Sequence, residues 1–267
     1  SKISASTIDG IGGDLTINAT ESIYLTGKGG FSVQASNGGE AGFIEANTNQ
    51  FDVVDKSEIN VSSKLGLAGY LEITAKDLFL NQGKMTAETG IGEGLESGNI
   101  TLNIQNFLRI ENDSLISAEA FDTANGGNIT INNPQGFVIG LTFRNSDIIA
   151  NADKGNGGNI DITTQNIFGL GFREQRTLKS DITASSKFGV SGQVTVNQLE
   201  ENSAHKLIAL PSTLVQNAKI QARCAASAGN NFTIRPKGGL PQSPNDLFDG
   251  NTILVELVDL VVTEEST

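Results

Sequence analysis

The stretch Gly127-Asn128-Ile129-Thr130-Ile131 decides the fold of this chain, because close copies of it recur along nearly the whole sequence. Seven further copies begin at Gly13, Gly42, Gly69, Gly98, Gly158, Gly192 and Asn230. The steps between copies run from about 27 to 38 residues, which is the spacing of a solenoid rather than of a compact globule. The sequence therefore predicts a repeat protein in which each repeat packs mainly on its two neighbours.

Each repeat contains three short strand patterns, separated by polar or glycine-containing corners. In the fourth repeat they cover residues 99–102, 107–110 and 114–118. Along the first strand Ile129 points to one side and Thr130 to the other, as the two-residue period of a strand requires. Three strands per turn with no helix between them predict an all-β, triangular parallel β-helix of about eight coils. General chirality preferences favour a right-handed coil.

Two columns of residues are expected to stack at the corner before the first strand. The amides of Asn99, Asn128 and Asn159, continued by Gln193, predict a ladder in which each side chain bonds to the next. Glycine pairs precede these residues, as at 126–127, and there we expect a positive φ angle. Both columns are interpreted as structural.

The composition limits the partners of this chain. Its 267 residues carry a net charge of -12, and the pI is about 4.5. Such a protein would repel a nucleic-acid backbone or an anionic membrane surface, so we expect neither as a partner. The 31 glycines, 5 prolines and absence of tryptophan suit short strands with tight turns. No run of about 18 apolar residues is present, so no transmembrane segment is predicted.

The start of the chain matches the interior of a later repeat. Residues 1–5 are similar to residues 180–184, and both segments precede a glycine-led strand at the same offset. The first residues also lack the basic and apolar regions of a signal peptide. We therefore expect the chain to open partway through a repeat of a longer protein.

A column of outward-facing residues on the first strands contains the candidate catalytic groups. It reads Thr16, Glu45, Glu72, Thr101, Thr130, Asp161, Thr195 and Thr233. Glu45 and Glu72 would be neighbours on adjacent coils, close enough for the pKa of one to rise and permit acid or base catalysis. Asp161 is the third candidate. No lysine or arginine occupies this column to stabilise a developing anion, so the alternative is a solvated acidic face.

Histidine, cysteine and metal chemistry have little support in the sequence. His205 is the only histidine and lies in a polar stretch that reads as a surface insertion. Cys224 is the only cysteine, so it cannot form an internal disulfide, and we interpret it as a small buried residue. One His and one Cys supply no zinc ligand set, and no loop has the aspartate spacing of a calcium site. We therefore predict no metal and no cofactor.

The candidate binding site lies in insertions between the second and third strands of the later repeats, including residues 171–177 and 211–215. Because coils stack in register, we expect these insertions to gather on one flank of the last three coils. Phe172, Arg173 and Arg176 are suited to stack on and hydrogen-bond a sugar or a partner chain there. The alternative is loop variation without a ligand.

The pattern changes after the last strand, which divides the chain into a parallel β-helix at residues 1–235 and a C-terminal segment at residues 236–267. This segment opens with prolines, which end the strand ladder. Residues 252–262 are strongly apolar, and we expect them to fold over the open coil end as a cap or to dock against a partner.

The last part of the chain resembles a known family. Residues 224–234, followed by Gly-Gly-Leu-Pro at 238–241 and by Pro244, are similar to the end of cyanobacterial filamentous-haemagglutinin-like exoproteins, and the glycine-led coils resemble the same proteins. The resemblance implies a right-handed parallel β-helix, two-partner secretion through an outer-membrane transporter, and an adhesin-like role outside the cell. It implies no catalytic residues, and the N-terminal secretion domain of that family does not occur in this sequence.

Three functions remain open at this point. The first is a non-enzymatic, secreted or cell-surface adhesin-like β-helix that binds a glycan or a cell-surface protein. The second is a polysaccharide lyase or hydrolase that uses an outer face of the coil, since parallel β-helices present extended grooves to sugar polymers. The third is a passive structural spacer, which needs no site.

Overall fold

The computed structural model describes residues 1–90 and 98–198, which form about six turns of a β-solenoid with parallel strands and no helix. The predicted parallel β-helix is confirmed for this part of the chain. The eighth coil, His205, Cys224 and the cap predicted in residues 236–267 lie outside the described residues.

Short strands make up these turns. In chain order they are β1 (Lys2–Ser4), β2 (Leu15–Asn18), β3 (Ser22–Leu25), β4 (Gly30–Ser32), β5 (Phe43–Asn47), β6 (Gln50–Val54), β7 (Glu58–Asn60), β8 (Tyr70–Asn81), β9 (Lys84–Thr86), β10 (Ile100–Glu111), β11 (Leu115–Ser117), β12 (Ile129–Gly140), β13 (Asp147–Ile149), β14 (Ile160–Phe168), β15 (Gly171–Phe172), β16 (Asp181–Thr183) and β17 (Val194–Gln198).

The strands form two sheets that run the length of the solenoid. The narrow sheet contains the third strands of the repeats, in the order β1-β4-β7-β9-β11-β13-β16-β15. The wide sheet contains the first and second strands, in the order β17-β14-β12-β10-β8-β5-β2, with β3 and β6 beside them. Apart from β15, each strand pairs in parallel with its counterpart one turn away, as when Ile100 aligns with Leu71 on one side and Ile129 on the other.

The first corner of the predicted triangle is a bend inside one continuous strand in the middle turns. Strands β8, β10 and β12 are each 12 residues long and combine the first and second strands of their repeats. Between the aligned pairs Ile104–Ala75 and Phe107–Asp77, β10 has one residue more than β8. This is a β-bulge, which turns the strand without ending its pairing. The prediction of separate first and second strands is therefore wrong for these turns.

Columns of aliphatic side chains fill the interior. Ile100, Ile129 and Ile160 have no exposed surface, as predicted, and they continue a column that contains Ile44 and Leu71. Burying an aliphatic side chain of this size contributes about 1.5–3 kcal/mol relative to leaving it exposed. Each turn therefore covers the interior of its neighbour, which is the source of stability expected for a solenoid.

The glycines before the first strands are required by close packing and not by their backbone angles. A Cβ atom on Gly127 would lie 1.9 Å from the carbonyl oxygen of Gly98, and one on Gly158 would lie 1.9 Å from that of Gly127. Neither Gly127 nor Gly158 has a positive φ angle, so the predicted reason for these glycines is wrong. Each glycine lets the next turn approach at the spacing of paired strands, which a side chain would prevent.

The predicted amide ladder exists, but its side chains bond to the backbone of the next turn. Oδ1 of Asn99 accepts from the backbone N–H of Asn128 at 2.9 Å, and Oδ1 of Asn128 accepts from that of Asn159 at 3.0 Å. Oδ1 of Asn159 accepts from the N–H of Gln193 at 3.1 Å. The column therefore satisfies the backbone donor that precedes each first strand.

Candidate functional site

The insertion that follows β14 covers an edge of the narrow sheet. Its strand β15 pairs with β16, where the N–H of Gly171 donates to the carbonyl of Ser180 and that of Arg173 to the carbonyl of Ile182, both at 3.1 Å. Within the described residues, β15 is the last strand of the narrow sheet on this side. The carbonyl groups of Ser180 and Ile182 at the edge of β16 are thereby hydrogen-bonded within the chain.

Two arginines hold the insertion against the narrow sheet. Arg173 forms an ion pair with Asp181 and donates to the carbonyl of Ser180 at 3.1 Å. Arg176 donates to Oδ2 of Asp147 through Nε at 3.0 Å and Nη2 at 2.8 Å. Both aspartates are fully buried, where an unpaired carboxylate would be costly. Arg173 and Arg176 therefore neutralise buried charges of the fold.

The insertion forms one wall of an open groove of about 970 Å³, which we call the lateral groove. Phe172, Arg173 and Arg176 all line it, so the structure brings the three predicted binding residues together. Phe121 lines the groove as well; Phe172 is 64% exposed and Phe121 46%. The remaining lining includes residues from the loops after β11, β13 and β16, at 119–122, 151–153 and 184–187.

The acidic side chains of the lateral groove differ in their partners. Asp122 forms an ion pair with Lys154, and Asp153 lies 3.8 Å from Nζ of Lys187. Glu119 also lines the groove but forms no ion pair within the described turns. Among the described residues, no lysine or arginine side chain forms an ion pair with the carboxyl group of Glu119.

Glu119 and Glu88 occupy equivalent positions on neighbouring turns, as the parallel bridge between the residues after them requires. Burial raises the pKa of both carboxyls above the ordinary value. The charge of Glu88 raises the pKa of Glu119 further, while the charge of Arg176 lowers it. A hydrogen bond from Ser117 opposes the rise in the pKa of Glu88. A carboxyl group with a raised pKa beside a groove is suited to hold a proton and donate it.

The Glu88–Glu119 pair was not predicted from the sequence. The predicted catalytic carboxylates all belong to the first strands of the repeats. Both glutamates end the same four-residue pattern, at residues 85–88 and 116–119: Met or Ile, then Thr or Ser, then Ala, then Glu. This repetition is the signal that could have found them. Their burial depends on the packing of the narrow sheet and of the insertion, which the local pattern does not encode.

The predicted catalytic carboxylates lie on the wide sheet, and only two of them are neighbours. Glu45 of β5 aligns with Glu72 of β8, as predicted. Each accepts a hydrogen bond at 3.0 Å, Glu45 from Asn47 and Glu72 from Asn103. Asp161 is exposed and lies three strands from Glu72, about 14 Å away at the usual strand spacing. The column therefore forms one amide-bonded pair and one separate carboxylate.

The described turns contain few features of other kinds of site. Within residues 1–90 and 98–198, no three His, Cys, Asp or Glu side chains come together to hold a metal ion. The same residues form no helix that could cross a membrane. Comparisons with protein-family models, curated proteins and solved structures found no match. The fold and the site define the class of protein as a parallel β-solenoid with an aromatic lateral groove.

Proposed function

We propose that this chain is a non-enzymatic, adhesin-like β-solenoid that is secreted or displayed on the cell surface and binds a glycan or a cell-surface protein in the lateral groove. The observation that carries the proposal is the exposed pair of rings, Phe172 and Phe121, in one open groove. The resemblance of the sequence to filamentous-haemagglutinin-like exoproteins supports two further parts of this proposal, a right-handed coil and export through an outer-membrane transporter.

Exposed aromatic rings are suited to this role. A phenylalanine ring offers a large apolar surface, and aromatic residues dominate the energetics of many binding sites. Phe172 belongs to β15, which is bonded to β16 on one side, so its ring extends from an ordered strand. A ligand that covers this ring gains buried apolar area at little cost in backbone ordering.

The arginines favour a neutral or weakly charged ligand over a strongly acidic one. Arg173 and Arg176 are already paired with Asp181 and Asp147, so they supply oriented N–H donors with little net positive charge. Glu119 adds a carboxyl group to the same groove. The whole chain is acidic as well, with a net charge of -12.

The test is binding to a glycan array that contains neutral and acidic polysaccharides, followed by the variant Phe172→Ala. We expect the substitution to weaken binding about tenfold, which corresponds to the loss of one well-packed aromatic contact. Phe143→Ala is the matched control, because Phe143 is 80% exposed and does not line the lateral groove. Equal binding by Phe172→Ala and the wild type would contradict the proposal.

A polysaccharide lyase or hydrolase is the second candidate, favoured by the raised pKa of Glu119 beside the lateral groove. Cleavage of an array glycan that is lost in Glu119→Gln would replace the adhesin proposal with this one. Cleavage lost in Glu45→Gln, Glu72→Gln or Asp161→Asn would instead place the chemistry on the wide sheet. A passive spacer is the third candidate, and it predicts neither binding nor cleavage.

A further inference from the structure

The dipeptide Asn-Gly occurs three times in the sequence, at Asn37, Asn125 and Asn156, and a second glycine follows each time. All three copies lie in the corner that leads from a third strand to the next first strand. Because glycine has no side chain to shield its backbone nitrogen, this nitrogen can attack Cγ of the preceding asparagine. The reaction proceeds only where the fold lets these two atoms approach each other.

Asn125 and Asn156 are held by the turn that follows each of them. Oδ1 of Asn125 accepts from the backbone N–H of Asn156 at 2.8 Å, and the N–H of Gly126 donates to the carbonyl of Asn156 at 2.8 Å. Oδ1 of Asn156 accepts from the N–H of Val190 at 3.1 Å, and the N–H of Gly157 donates to the carbonyl of Val190 at 2.9 Å. In both copies these hydrogen bonds must break before the two atoms can meet.

Asn37 and Gly38 lack both of these hydrogen bonds. The backbone N–H of Asn37 donates to the carbonyl of Ile8 at 2.8 Å, which fixes the corner on one side. The side-chain amide of Asn37 and the N–H of Gly38 have no hydrogen-bond partner within residues 1–90 and 98–198. Both residues are exposed, and Gly38 has a φ of +71°. The attacking nitrogen and its target are therefore held back by no hydrogen bond to the rest of the described turns.

We propose that Asn37 is a site of spontaneous modification, at which it forms a cyclic imide with Gly38 and is converted to aspartate or isoaspartate. A bond forms from the backbone nitrogen of Gly38 to Cγ of Asn37 while the bond from Cγ to Nδ2 breaks. Ammonia leaves and carries the proton that the Gly38 nitrogen gives up. A water molecule from the solvent then opens the imide at either of its two carbonyl carbons. No electrons are exchanged, and the net change replaces the amide of Asn37 by the hydroxyl of water.

The two products affect the corner differently. Aspartate suits it, because Asp9-Gly10 occupies the equivalent place one turn earlier, as the bridge between Thr7 and Ala35 requires, and Gly10 also has a positive φ, of +95°. Isoaspartate instead adds one methylene group to the main chain between the bridged residues Ala35 and Glu40. Either product adds one negative charge to a chain that already carries a net charge of -12.

The test is prolonged incubation of the purified chain at mildly alkaline pH, followed by peptide mapping with mass spectrometry that distinguishes asparagine, aspartate and isoaspartate. We expect Asn37 to be converted at least about tenfold faster than Asn125 and Asn156, a factor that corresponds to one or two retained hydrogen bonds. In protein unfolded by urea at the same pH, the three should react at similar rates, because each precedes Gly-Gly. The second measurement separates protection by the fold from the effect of local sequence.

Two variants follow the same reaction through charge. Asn37→Gln should prevent the main acidic species from appearing on isoelectric focusing, because the longer side chain of glutamine closes the ring much more slowly. Asn156→Gln is the matched control and should acidify as the wild type does. No ligand is involved, so the result is independent of the function proposed for the lateral groove.

Two outcomes would overturn the inference. The first is conversion of Asn125 or Asn156 as fast as that of Asn37 in the folded protein. The second is an Asn37 that stays intact in the folded protein while it reacts in urea.

Discussion

At the scale of single residues, three carboxyl groups of the described turns have surroundings that do not satisfy them in the ordinary way. Glu88 and Glu119 are stacked and partly buried, and burial raises the pKa of both. Oδ2 of Asp77 accepts a hydrogen bond from Asn106, while its Oδ1 has no partner among residues 1–90 and 98–198. Burial of such groups in their ionised form reduces the stability of the folded protein.

The raised pKa values predict how stability depends on pH. Because the pKa of Glu119 is higher in the folded protein, the folded protein holds this proton more tightly than the unfolded chain does. As the pH rises, the unfolded chain therefore releases the proton first, near the ordinary pKa of 4.5. The stability that Glu119 contributes is therefore complete below that pH and is lost as the pH rises through the raised pKa. Glu119→Gln, which stays neutral, should raise the melting temperature at pH 7 but not at about pH 3.

This prediction is checked by thermal unfolding at both pH values. The charges of Glu88, Glu58, Lys84 and Arg176 act on the pair, so the experiment is best done at fixed, moderate salt. A melting temperature that Glu119→Gln changes equally at pH 3 and pH 7 would show that the substitution acts through packing instead.

At the scale of elements, the insertion between β14 and β16 has the greatest influence on the candidate site. It supplies β15, which pairs with the edge of β16, and the two arginines that neutralise Asp147 and Asp181. The wall of the lateral groove is therefore fixed by buried ion pairs. This explains why an irregular segment can hold Phe172 in one place.

Arg173→Met tests the role of these ion pairs. The substitution leaves the buried carboxylate of Asp181 with hydrogen bonds from Thr177 but without its ion-pair partner. We expect a loss of about 3 kcal/mol in the free energy of unfolding. The double variant Arg173→Met/Asp181→Asn should recover part of this loss. Urea denaturation gives the free energies, and hydrogen exchange should show faster exchange of the Gly171 amide in the single variant.

Lys154→Met is the control for this experiment, because Lys154 pairs with a partly exposed Asp122 at the surface. Its stability should be close to that of the wild type. If Arg173→Met were no less stable than Lys154→Met, the insertion would not be held by the buried ion pair.

At the scale of the whole molecule, the solenoid depends on turns that approach one another closely along its entire length. Gly127 lies in the middle of a column in which each glycine packs on the carbonyl of the glycine one turn earlier. Gly127→Ala would force two turns apart at that point. Because every turn is stacked on its neighbours, the strain would act on the whole column.

We expect Gly127→Ala to lower the free energy of unfolding by about 3 kcal/mol, as overpacking against a rigid backbone does. Gly10→Ala is the matched control: Gly10 has a φ of +95° but no atom within 4 Å of the added Cβ, so only local strain of about 1 kcal/mol is expected. Urea denaturation measures both. A smaller loss for Gly127→Ala than for Gly10→Ala would contradict the packing argument.

Features that are encoded in neighbouring residues could be predicted from the sequence, and features that depend on distant contacts could not. The glycine-led repeat and the alternation of Ile129 and Thr130 predicted the parallel stacking, the buried column and the pairing of Glu45 with Glu72. The corner inside β10 was predicted, but the continuity of the strand through it was not, because one extra residue at a polar corner has no signature in the two-residue period. The insertion at Phe172 was recognised by its length, which is also a local property.

The sequence by itself determined that this protein is a parallel β-solenoid, since side-chain period and repeat length are written in neighbouring residues. Only the tertiary structure decided that Arg173 and Arg176 neutralise buried aspartates, that Glu119 stacks on Glu88, and that Asp77 keeps an unpaired oxygen. Apart from the pairing of Arg173 with Asp181, which lie close in sequence, these properties depend on which residues the register of stacked turns brings together from about 30 positions away. The energies of buried charges depend on those neighbours, so the site followed from the packing of the turns.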